Sequence, residues 1–186
     1  MVDRMIRAAR LDASLYIEVE SDATATRQAF LIVLIYSECT GIGFGLIDLP
    51  NIDVRNFFLN LFVGLLSALV FWLIWSLITY FIGTTLFKGP KAPWRAIATY
   101  GEFLRSIGFS ATPGILMIFA FVPSVGWLIS LVALAWMFIA MVVAVRQSLD
   151  FTTWRAIGTC LVGGVIYLFF SILLVWIFGL GAEVVL

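Results

Sequence analysis

The chain has 186 residues, 63% of them apolar and only 12% charged, with a formal net charge of zero. So small a charged fraction cannot coat a soluble domain, and a neutral balance offers no basic face for nucleic acid. The single domain's worth of chain is therefore expected to sit in a lipid bilayer, as an all-α polytopic protein.

The N-terminal stretch, residues 1–27, is expected to be a cytoplasmic amphipathic and acidic segment. MVDRMIRAARLD carries charge throughout and lacks the apolar core of a cleaved signal. Val2, Met5, Ile6, Ala9, Ala13, Tyr16 and Ile17 recur at helical spacing. They predict a weak amphipathic helix, either lying on the inner leaflet or packed against the bundle. Glu18, Glu20 and Asp22 follow. No loop pattern of a cation site accompanies them, so a solvated acidic segment pairing with nearby arginines is expected, and no metal or cofactor. Asp22 is placed to cap the next helix.

The transmembrane domain is expected over 28–182. A first span over about 28–46 contains one charge, Glu38, and the small residues Ser37, Gly41 and Gly45, spaced for close helix packing. A turn at Pro50 leads to a second span, about 57–82, ended by the FKGPKAP segment. The uncharged block Ser106–Val145 is too long for one crossing and suits two. They are predicted as 103–122 and 125–145, turning at Pro123 and Gly126, with Pro113 kinking the first of them and Ser110 and Thr112 near the freed carbonyls. The polar connector VRQSLDFTTWR precedes a fifth span, about 154–180. With the N-terminus in the cytoplasm and the C-terminus outside, ten of eleven basic residues lie inside and only Arg55 outside. A four-span arrangement would put Arg146 and Arg155 on the wrong side.

Reactive chemistry is hard to assemble. There is no histidine, which removes histidine bases and histidine metal sites. Cys39 and Cys160 fall in apolar runs without a C-x-x-C pair. No phosphate loop occurs, and no lysine or pair of aspartates lies within the spans. No enzymatic activity is expected. Two features stand out as functional candidates. Glu38, about ten residues into the first span, is expected to be neutral or in contact with water near the outer interface, because a charged carboxylate at that depth is costly. It is read either as a neutral hydrogen-bonded clip, for instance to Asn60, or as a coupling site. Arg146, Asp150 and Arg155 crowd the last connector, where they suit an anionic-lipid or partner contact, or topology alone.

Three segments together, YIEVESDATATRQA, GFSATPGIL and VRQSLDFTTWRAI, resemble the Yip family of five-span membrane proteins. The likeness extends from about Met5 to Phe178 and implies a five-span bundle with a cytoplasmic N-terminus. Eukaryotic members are associated with Rab GTPases and vesicle traffic, through a long polar N-terminal domain. That domain does not precede the first span here, so the compact form is similar to the bacterial branch and a GTPase partner is not expected. The expectation is a non-enzymatic protein of the cytoplasmic (inner) membrane that binds the bilayer's lipids, other membrane proteins or a second copy of itself. The alternative is a small transporter or channel using Glu38 and the kinked third span.

Overall fold

The computed structural model describes residues 1–47, 53–87 and 98–178. The Pro50 turn and most of FKGPKAP, with Lys88, Lys91 and Arg95, lie outside them, as do the last residues of the predicted fifth span. Among the described residues all regular structure is helical.

The N-terminal segment forms two helices rather than the one expected. Helix α1 (Val2–Ala9) ends where Leu11 takes a left-handed φ of 61° and the Asp12 N–H reaches back to the Arg7 carbonyl. This closes a Schellman-type cap without glycine. Asp12 then caps α2 (Ala13–Ser21) by accepting from the Ser14 N–H at 2.9 Å. The break resets the apolar face. Ala8, Leu15, Tyr16 and Val19 are buried, whereas Val2, Ile6 and Ile17 of the expected face are exposed. Helix α2 packs on the later helices of the bundle.

Helix α3 (Ala25–Gly45) follows, with Asp22 Oδ1 accepting from the Thr24 N–H at its entry. Helix α4 (Val54–Thr85) is capped by Asp53 and outruns its predicted span by three residues at each end. Helix α5 (Tyr100–Ser110) starts with a capping box, in which the Glu102 carboxylate accepts from the Thr99 N–H at 2.6 Å.

The third predicted span is not one α-helix. At Ala111 it tightens into a 3-10 segment, Thr112–Phe119, with Pro113 in its first turn. Proline removes one N–H and crowds the preceding turn. The Ser110 and Thr112 hydroxyls each donate at 2.7 Å to the Ile107 and Phe109 carbonyls. The following turn places Ser124 at φ 68°, and Gly126 passes so close to the Ala120 carbonyl that a Cβ would lie 1.9 Å from its oxygen. Helix α6 (Gly126–Ser148) and helix α7 (Thr153–Phe178) complete the described residues.

Successive long elements are antiparallel neighbours. Helix α3 packs against α4, α5 and the 3-10 segment; α6 packs against α5, the 3-10 segment and α7, and α7 also lies against α4. Close approaches are made by glycines. A Cβ on Gly43 would meet the Met117 carbonyl oxygen at 1.9 Å, and one on Gly108 would meet the Ala29 Cβ at 2.7 Å. Gly41 and Gly45 face Leu61 and Phe57 of α4, so these small residues pack within the chain. The outward surface is apolar: Phe58, Phe62, Val63 and Phe81 of α4, Trp127 and Leu131 of α6, and Val165, Phe169 and Ile172 of α7 are all more than half exposed. Large contiguous apolar surface marks a contact with lipid or protein. Helices α3, α4 and α6 are each long and apolar enough to cross a membrane, and α7 contributes a shorter apolar stretch over 153–169.

Candidate functional site

Polar chemistry gathers where the N-terminal helices meet the bundle. Arg4 bridges Glu18 and Asp22, each at 2.8 Å, and also donates to Gln28 of α3. Arg7 bridges Asp12 at 2.8 Å and contacts Glu18. Thus Glu18 and Asp22 share a face and are engaged by guanidinium groups, as expected for an acidic segment pairing with arginines. The charges respond to one another. The Ser14 hydroxyl and Arg7 hold the Asp12 carboxyl down to about 2, and the Thr24 hydroxyl and Arg4 do the same for Asp22, to about 2. Arg7 and Arg4 together hold Glu18 below the usual range.

Backbone carbonyls of this hairpin are gripped from the bundle. The Arg105 guanidinium donates to the Val19 and Glu20 carbonyls, the Trp136 indole to Ala9 at 2.8 Å, and the Gln147 amide to Ala13 at 3.4 Å. Tyr16, fully buried, donates to the Ala140 carbonyl at 3.3 Å. These clamps were not anticipated from the sequence. One signal for them exists: an arginine one turn inside α5, half-buried, has to find several acceptors.

The last connector ends α6 with a second Schellman-type cap. Asp150 takes φ 53°, and the Phe151 N–H donates to the Arg146 carbonyl at 2.9 Å. Leu149 and Phe151, on either side, are buried against Gly83 of α4. Asp150 is thereby turned outward and exposed. Arg146 is exposed as well and reaches the Thr153 hydroxyl at 3.5 Å, at the first turn of α7; Arg155, in the same turn, is half-buried. All three share one end of the bundle with the arginine–carboxylate lattice, since Gln147 of the same turn holds Ala13.

Glu38 is remote from this face. It lies half-buried in α3 between Ser37 and Cys39, two turns beyond Ile32 of the core. Asn60 is exposed on α4. Thr40, next along, donates to the Tyr36 carbonyl at 2.9 Å. Pro113 stands buried at the change from α5 to the 3-10 segment.

No curated protein and no solved structure matches the chain. A family model described as the Yip1 domain matches residues 17–179, from within α2 to the end of α7. Nearly the whole bundle is covered, with its apolar helices and polar connectors, so the chain belongs to the Yip1 domain family of membrane proteins.

Proposed function

We propose that this protein crosses the cytoplasmic membrane five times, with its N-terminus inside and its C-terminus outside, and works without catalysis by binding other membrane proteins or lipids. In this reading α3, α4, α5 with the 3-10 segment, α6 and α7 are the spans. The binding face is the cytoplasmic end, made of the α1–α2 hairpin and the connector from Arg146 to Arg155. The observation that carries it is the clamped hairpin. Arg105, Trp136 and Gln147 fix its backbone while Asp12, Glu18 and Asp22 are engaged by Arg4 and Arg7. Arg10, Arg27 and Arg146 are left exposed around that rigid platform. Basic side chains near an anionic surface contribute about 1 kcal/mol each, and a fixed platform loses little entropy on binding.

Copurification from mild detergent tests the proposal. The wild-type chain should retain a membrane protein or anionic lipid that Arg146→Gln with Arg155→Gln loses. Asp150→Gly, which keeps the left-handed cap and removes the charge, should retain it. A protein that always runs alone, and that supports solute flux in liposomes, would overturn the binding role in favour of transport.

A further inference from the structure

Between α3, α4, α5 and α6 lies a cavity of about 290 Å³. It is roughly twice the volume of an engineered apolar cavity of about 150 Å³ that stays dry and takes up benzene. Its inner wall is Val33, Ile107, Ser110 and Trp72, all buried; its mouth is flanked by Phe71 of α4 and Leu134 of α6, both exposed. The closed ends are well defined. At one, Trp75 donates its indole N–H to the Met141 sulfur at 3.0 Å, and Phe71, Trp75 and Tyr167 form an aromatic cluster with ring centroids 4.7–5.8 Å apart. At the other, Tyr36 and Met137 crowd Gly114, where a Cβ would come within 2.5 Å of both.

The polar groups of the wall already have partners within the protein, the Tyr36 hydroxyl at Thr40 among them. The Trp72 indole donates to the Leu104 carbonyl at 3.1 Å and the Ser110 hydroxyl to the Ile107 carbonyl at 2.7 Å. The occupant is therefore one with no hydrogen bonds to make. A free charged or polar solute would lose its hydration there without replacement. The mouth opens sideways, between apolar faces of α4 and α6 that are themselves exposed, rather than toward either end of the bundle.

From this we infer that the cavity is a lateral binding site for one acyl chain of a bilayer phospholipid, which enters between α4 and α6 past Phe71 and Leu134. The inference rests on reading α4 and α6 as spans, and is independent of the partner role given to the cytoplasmic face. Methionine at Met137 and Met141 suits a flexible chain of variable unsaturation, because its thioether adapts to irregular shapes.

The test is a labelling map. The full chain is reconstituted in phosphatidylethanolamine and phosphatidylglycerol vesicles containing a phosphatidylglycerol with a diazirine midway along one chain. After illumination, adducts are located by peptide mass spectrometry. Adducts on Ile107, Ser110 and Met141 are expected, beside those on the outward residues Phe62 and Leu66. Ala111→Phe, which fills the cavity from within, should abolish the inner adducts and leave the outer ones. Ala68→Leu, nearer the mouth, serves the same purpose if the first variant does not fold. Outer adducts without inner ones in the wild-type chain would overturn the cavity assignment alone. Absence of adducts on Phe62 and Leu66 too would overturn the span reading beneath it. Inner adducts that persist in a folded filler variant would also overturn the proposal.

Discussion

Helices α3 and α4 are neighbours, yet they solve opposite problems. Helix α3 carries Ser37, Glu38, Thr40 and three glycines, and packs one side against α4, α5 and the 3-10 segment. Helix α4 is mostly Phe, Leu, Val, Ile and Trp, and over its first half large side chains such as Phe58, Phe62 and Val63 point away from the rest of the chain. In a water-soluble fold the more apolar helix would be the inner one. Here the order is reversed. Where the surroundings are hydrocarbon, burying a leucine against protein gains nothing over leaving it in lipid, and close backbone approach through small residues holds helices together instead. Between these two helices, burial follows small and polar residues, not hydrophobicity.

The glycines give the sharpest way to break this comparison. Gly43→Ala would place a Cβ 1.9 Å from the Met117 carbonyl oxygen, whereas Gly64 on α4 has nothing within 4 Å. Overpacking against backbone costs about 1–3 kcal/mol or more, so Gly43→Ala should sharply lower the yield of monodisperse protein and its thermal midpoint in detergent. Gly64→Leu should leave both unchanged. Equal effects would mean that α3 is no more closely packed at Gly43 than α4 is at Gly64.

Phenylalanines give a second contrast. Phe103 of α5 is fully buried and Phe62 of α4 is 62% exposed. Truncating a buried phenylalanine to alanine costs about 3–5 kcal/mol, while exposed positions stay within about 0.5 kcal/mol. Thermal denaturation of the two alanine variants should separate by many degrees.

Acid reaches the other polar region, the hairpin lattice, with a smaller effect. Asp12 and Asp22 titrate at about 2 in the fold, below the ordinary value of 3.8. A depressed carboxyl stabilises the docked hairpin above its unfolded value, and that contribution disappears as pH falls through the folded one. Docking should therefore hold from neutral pH to about pH 4 and loosen between about 4 and 2. Pepsin cleavage around Leu11 and Leu15 reads it. Arg4→Gln should move the onset of cleavage upward in pH; an unchanged onset would remove Arg4 from the clamp.

Glu38 should give the smallest change of all. Glu38→Gln keeps the hydrogen-bonding groups and removes the ionisation, and should match the wild type in thermal midpoint and in proton leak through reconstituted liposomes. Glu38→Leu should lose stability if the carboxyl clips α3 to its neighbours. A proton flux present in the wild type and abolished in Glu38→Gln would instead establish coupling.

Much of the architecture was legible in the chain. Uncharged runs longer than a bilayer needs dictate helices, because only a helix satisfies every backbone group within one segment in hydrocarbon. Hence the bounds of α3, α4, α6 and the start of α7 lie within a few residues of those read from the sequence. The disruption at Pro113 was equally legible, being a property of one residue. Other features needed the fold. Nothing local announces that the turns after Pro113 tighten to 3-10, since that depends on Gly43 letting Met117 approach α3. The single amphipathic helix expected at the N-terminus is broken at Leu11, in a conformation leucine seldom adopts. It is supported there by contacts made far away, from Arg105, Trp136 and Gln147 to the α1–α2 backbone. Composition and periodicity act on each segment alone, so they determine which segments are helices. Which faces meet, where a cavity is left and which arginine finds which carbonyl are decided between segments, by close packing and by the demand that buried donors be paired.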